Sequence, residues 1–179
     1  MALRKRFIRS RVENLLSRVT RTEPPVDLDA VAKVLGLEIT AHSELDNDIS
    51  GCLIRREDGR NIISVNAGQH LNRKRFTIAH EIGHYLLHTG EEYHLDRAPS
   101  FRINFRDAVS SAAIDASEME ANLFAAELLM PADSLAHDLE GGVDLADDTD
   151  RGLQELAERY GVSVQALTYR LMNLGLLPA

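Results

Sequence analysis

The strongest constraint on this chain is a helix that should be apolar on nearly every side yet carries ionisable residues in its middle. Phe76, Ile78, Ala79, Ile82, Leu86 and Leu87 fall on most sides of a helix predicted from Arg73 to about His88, with Asn72 as its cap and Thr89-Gly90 as its stop. Such a helix belongs at the centre of a fold. Its core, however, reads His80-Glu81-Ile82-Gly83-His84. Imidazoles and a carboxylate buried there are costly unless something satisfies them.

A cation is the natural answer. Residues four apart share a helix face about 6 Å apart along the axis, so His80 and His84 can converge on one ion. Glu81 then sits beside the site without being a ligand, placed to accept and return a proton. The same spacing occurs by accident on solvated helices. The apolar surroundings argue against that here, and Gly83 admits close packing from another element. His88 continues the row but lies about 12 Å from His80 by helical rise, too far to share the ion. It reads as a C-terminal cation or a surface histidine.

A hydrolytic zinc site needs a third protein ligand and an open position. A second helix is predicted from about Ser117 to Met130, and Glu118 and Glu120 are its candidates. At roughly 100° per residue, Asn122, Ala125 and Leu129 lie within about 40° of Glu118, whereas Glu120 points about 200° away, near Glu127, toward expected solvent. Glu118 is therefore the preferred ligand, with Asn122 one turn below it as a group that hydrogen-bonds a ligand. Glu120 as ligand, and Glu118 as a mere helix cap beside Ser117, are the competing readings.

The rest of the chain supplies a small sheet and more helices. Leu3 to Val19 reads as a basic amphipathic helix, and a short helix starts near Asp27 and stops at Gly36. Leu37 to Thr40, Gly51 to Arg55 and Asn61 to Asn66 look like strands, the last two joined through Asp58-Gly59. Glu91 to Ala116 shows no periodicity and is expected to be a loop or lid bearing Tyr93, His94, Arg97 and Arg102. Pro131 opens a short helix, Gly141-Gly142 and the following acidic stretch form a linker, and two short helices end the chain, Leu153 to Tyr160 and Ser163 to Leu174. The expected division is 1–136 and 137–179.

Two long runs are also familiar. Arg75 to His88 and Glu118 to Pro131 resemble the ImmA/IrrE family of metallo-endopeptidases, with Ile49-Ser50-Gly51 and Ile62 to Asn66 similar to its upstream strands. The resemblance covers about residues 25 to 135. It implies an α+β, zincin-like fold with a small sheet on the central helix, zinc held by His80, His84 and Glu118, one ion per chain, and Glu81 as the catalytic carboxylate. It also implies a protein substrate, a helix-turn-helix repressor of the Xre type whose cleavage derepresses stress, phage or mobile-element genes. The strand around Ile62, Ser64 and Val65 is expected to accept an extended substrate by β-addition. The length read here is expected to leave no room for the large C-terminal sensor domain of the radiation-response members, and the resemblance therefore does not carry over their trigger.

Charge bears on the rival reading. Leu156 to Leu171 has helix-turn-helix spacing, and its second helix offers Gln165, Thr168, Arg170 and Asn173. With one positive charge there and a formal net charge of -8 overall, direct nucleic-acid binding is disfavoured. The alternative to an enzyme is a DNA- or protein-binding regulator on a non-cleaving zincin-like scaffold. Cys52 is the only cysteine, which excludes an internal disulfide. The basic start is not followed by an apolar leader core, and no apolar run approaches the roughly 20 residues a membrane span needs. A cytoplasmic protein without membrane association is expected.

Overall fold

The computed structural model describes residues 4–20, 23–43, 49–88, 93–97, 112–140 and 151–178, with 93–97 and 112–115 as main chain. The elements are α1 (Lys5–Leu16), α2 (Leu28–Leu35), β1 (Leu37–His42), β2 (Ile49–Ile54), β3 (Asn61–Asn66), α3 (Leu71–Leu87), β4 (Tyr93–Arg97), α4 (Ala112–Leu129), α5 (Ala132–Glu140), α6 (Arg151–Tyr160) and α7 (Val164–Leu174). The class is α+β, as expected.

Local chemistry fixes the ends of these elements. The Asp27 carboxylate accepts from the Ala30 amide at 3.0 Å and caps α2, which closes at Gly36. Between β2 and β3 the chain reverses at Gly59, whose φ of 81° suits a residue without Cβ, and Asp58 accepts from the Arg60 amide at 3.0 Å. The hairpin pairs Ile54 with Ile62 and Leu53 with Ile63. The sheet runs β1-β3-β2-β4, with β1 parallel to β3 and the other pairings antiparallel.

α3 is the central helix. Residues 79–84 are all buried, so no side of those turns faces water. It packs on α4, β2, β3 and α2. One apolar cluster runs from Ile8, Val12 and Leu15 of α1 through Phe76, Ile82, Phe124 and Leu128 to Leu156, Tyr160, Leu167 and Leu171. The last two helices thus share the core of the rest. The division expected after residue 136 falls within α5, and the expected linker at 141–150 lies outside the described residues.

Three expectations shift. α3 begins at Leu71, two residues early, because the His70 ring accepts from the Asn72 amide at 3.3 Å. The Asn72 side chain instead donates to the Val162 carbonyl at 2.9 Å and ties α3 to the α6–α7 turn. Within the stretch read as loop, residues 93–97 form β4 on the free edge of β2, and α4 starts already at Ala112. Main-chain pairing makes that strand, and a five-residue segment with a single aliphatic side chain gives no periodicity to read.

Candidate metal centre

His80 and His84 stand one turn apart on α3 with ring centroids 4.6 Å apart and planes at 67°. Their Nε2 atoms lie 2.9 Å from each other. Glu118, from α4, brings Oε2 to 3.3 Å from His80 Nε2 and Oε1 to 3.3 Å from His84 Nε2. Tetrahedral bonds of 2.0–2.1 Å would space donors by about 3.3 Å, and the nitrogen–nitrogen and nitrogen–oxygen separations of 2.9–3.3 Å are close to that spacing around one zinc-sized ion. Two imidazoles and a carboxylate also form the borderline-hard donor set that zinc accepts. The two rings are buried while the Glu118 side chain is 27% exposed, so the cluster opens to solvent on the carboxylate side.

The helices meet here because Gly83 has no side chain. A Cβ at that position would stand 3.1 Å from Ala121 Cα, 3.2 Å from the Ala121 oxygen and 3.2 Å from Phe124 Cβ. Asn122, on the same stretch of α4, places Oδ1 3.0 Å from His80 Nδ1. An amide oxygen only accepts, so the ring carries its hydrogen on Nδ1 and presents a lone pair at Nε2.

Glu81 is fully buried beside the cluster. Its charge reaches Cys52 on β2, whose thiol is pushed above its ordinary range by burial first and by Glu81 second, against a hydrogen bond with Ser64 that lowers it.

Other expected residues fall elsewhere. Ile62, Ser64 and Val65 lie on β3, which is paired with β1 on one side and β2 on the other. Neither edge of that strand is open to a substrate, and Ser64 and Val65 are buried; β-addition there is excluded. Tyr93, His94 and Arg97 are on β4, and Arg102 is outside the described residues. Arg170 is 4% exposed and forms a two-pronged pair with Glu127 at 2.9 and 2.7 Å. This leaves α7 without a cation to meet phosphates.

Nor do Glu120 and Glu127 face water. They are 2% and 9% exposed, because α1 and α7 cover that side of α4 and supply Arg4 and Arg170 as partners. Arg4 Nε donates to Glu120 Oε1 at 2.8 Å, and this contact, with a smaller one from His88, lowers the Glu120 carboxyl to about 2. His88 is only partly exposed, with 24% of its side chain open to solvent. Its Nδ1 is 3.2 Å from His84 Nδ1 and its Nε2 is 3.3 Å from Glu120 Oε2. The row of histidines at 80, 84 and 88 was the available sign, but the cation that buries Glu120 lies 116 residues away.

Comparison with known proteins agrees with this geometry. The model of a peptidase family described as the IrrE N-terminal-like domain matches residues 32–172. Radiation response metalloprotease IrrE of Deinococcus radiodurans is 34% identical over 112 residues, covering 62% of this chain and 30% of that protein. A Mycobacterium tuberculosis transcriptional regulator of solved structure superposes with a TM-score of 0.62 at 18% identity, over 92% of this chain and 46% of that one. This second likeness is one of fold. The chain spans less than half the length of either protein.

Proposed function

The chain belongs to the IrrE N-terminal-like domain family of peptidases, and from that premise we propose that it is a zinc-dependent endopeptidase acting on a helix-turn-helix repressor of the Xre type. The observation that carries this reading is the convergence of His80 Nε2, His84 Nε2 and the Glu118 carboxylate at 2.9–3.3 Å. These three side chains would hold one zinc per chain. Zinc, when bound, supplies a Lewis acid that polarises a carbonyl and makes water acidic near neutral pH.

The chain's own residues supply the rest. Asn122 holds the His80 ring with Nε2 turned inward. Glu81, one residue after His80 and shielded from bulk water, accepts the proton of the attacking water and returns it to the departing amine. The partly exposed Glu118 side leaves a path for the substrate carbonyl. α7 exposes Val164, Tyr169 and Met172, which suits a protein partner better than a phosphate backbone. Among the described residues no helix is long and apolar enough to cross a membrane, and we place the protein in the cytoplasm, where such a repressor resides.

The test is incubation of the purified protein with any Xre-type repressor from its own operon. A discrete product should form with zinc and vanish with chelator or with Glu81→Gln, which should still bind zinc. A product that persists in Glu81→Gln sinks the mechanism.

A further inference from the structure

The region behind His84 has a direction of hydrogen bonding that the metal-site geometry leaves open. His84 approaches the cluster through Nε2, so for that atom to offer a lone pair its hydrogen must sit on Nδ1. The neighbour of Nδ1 is His88 Nδ1 at 3.2 Å, which then has to accept. Accepting there puts the His88 hydrogen on Nε2, 3.3 Å from Glu120 Oε2. That carboxylate is already bridged by the Arg4 guanidinium through both oxygens, and it can only accept.

Every group along this line finds the partner it needs in one direction only. Run the other way, His88 would donate through Nδ1 and aim a lone pair at the Glu120 carboxylate. It would also force the His84 hydrogen onto Nε2, against the cluster. Two acceptors would then face each other at 3.3 Å in a partly buried place.

The backbone holds the line in place. Arg55, just after β2, donates through Nη2 to the carbonyls of His84 at 2.8 Å and His88 at 2.6 Å, clamping the last turn of α3. His88 itself has left the helix, with φ -125° and ψ 118°, which swings its ring back toward α4.

We propose that His88, Glu120 and Arg4 form a hydrogen-bonded chain that positions His84 for metal binding and links the seating of α1 on α4 to retention of the ion. The proposal rests on the metal-centre reading above. His80 and His84 are thus oriented by different means: the first through an amide on α4, the second through a chain reaching the N-terminal helix. Loss of a partner that orients a ligand histidine costs roughly 10–100-fold in metal affinity.

The experiment is zinc competition against a chromophoric chelator, with the unfolding of the zinc-free protein measured beside it. His88→Phe keeps a ring and removes the acceptor, and zinc affinity should fall about 10–100-fold. His88→Gln, whose amide oxygen can accept from His84 Nδ1, should recover most of the loss, which a merely space-filling role would not produce. Arg4→Met should weaken zinc in the same direction by less. In the zinc-loaded wild type, nitrogen NMR should show His88 neutral with its hydrogen on Nε2, and this decides the matter even if His88→Phe does not fold. Wild-type affinity in His88→Phe, or a hydrogen on His88 Nδ1 in the loaded protein, overturns the chain while leaving the metal centre standing. A wild type that takes up no zinc overturns the metal centre itself.

Discussion

Gly83→Ala tests whether the two ligand-bearing helices touch as described. The new methyl would meet Ala121 Cα at 3.1 Å, the Ala121 oxygen at 3.2 Å and Phe124 Cβ at 3.2 Å. Ordinary carbon contacts lie at about 3.5–4.0 Å, so α4 must move away by roughly half an ångström. Two of the three obstacles belong to the backbone of a buried helix, so they cannot swing aside. Replacing glycine with alanine inside a helix contributes about 1 kcal/mol, while overpacking costs about 1–3 kcal/mol. The zinc-free protein should therefore range from unchanged to about 2 kcal/mol less stable. The metal centre should suffer more. Glu118 lies three residues before Ala121 on the same rigid helix, and metal–ligand distances tolerate only about 0.2 Å. Zinc affinity should drop by more than about tenfold, or 1.4 kcal/mol. Urea unfolding reads the first effect and chelator competition the second. A variant that gains the full helical increment with unaltered zinc affinity would refute the close approach of α3 and α4.

Other perturbations reach different parts of the structure. Arg170→Leu strands the buried Glu127 carboxylate and should cost about 3–5 kcal/mol in urea unfolding, much of it recovered by adding Glu127→Leu; an additive pair of losses would contradict the pairing. Glu120 titrates near 2 in the folded chain against an ordinary 4.5, chiefly through Arg4, so its ionised form favours folding. That contribution is fully present above about 4.5 and is lost as pH falls toward about 2. The stability gap between wild type and Arg4→Met should accordingly be widest near neutrality and close in acid; a gap that grows on acidification would count against it. Because burial and the Glu81 charge both raise the Cys52 thiol, it should alkylate more slowly than a free cysteine at mildly alkaline pH, and Glu81→Gln should speed it in zinc-free protein. Equal rates would separate Cys52 from Glu81.

Much of this was legible in the residues because the relevant signals are local. The apolar surroundings of His80 and His84, the angular position of Glu118 and Asn122 on α4, and the turn at Asp58-Gly59 all depend on neighbours within a few positions. What escaped depends on tertiary pairing. Glu120 and Glu127 lie on the side of α4 opposite Glu118, and only the arrival of α1 and α7 makes that side an interior with its own cations. β4 carries no alternation because β2 dictates it through the main chain. The mistaken substrate role of Ile62, Ser64 and Val65 has the same origin, since strand order decides which edge is free and no strand's own sequence records it.

The Arg170–Glu127 pair also limits how this architecture can be recombined. Grafting a foreign segment in place of the last two helices would leave an unneutralised carboxylate inside α4, one turn from the stretch that presses on Gly83. Any successful exchange of that half should carry a guanidinium to the same spot, or swap Glu127 for an apolar residue in the same step.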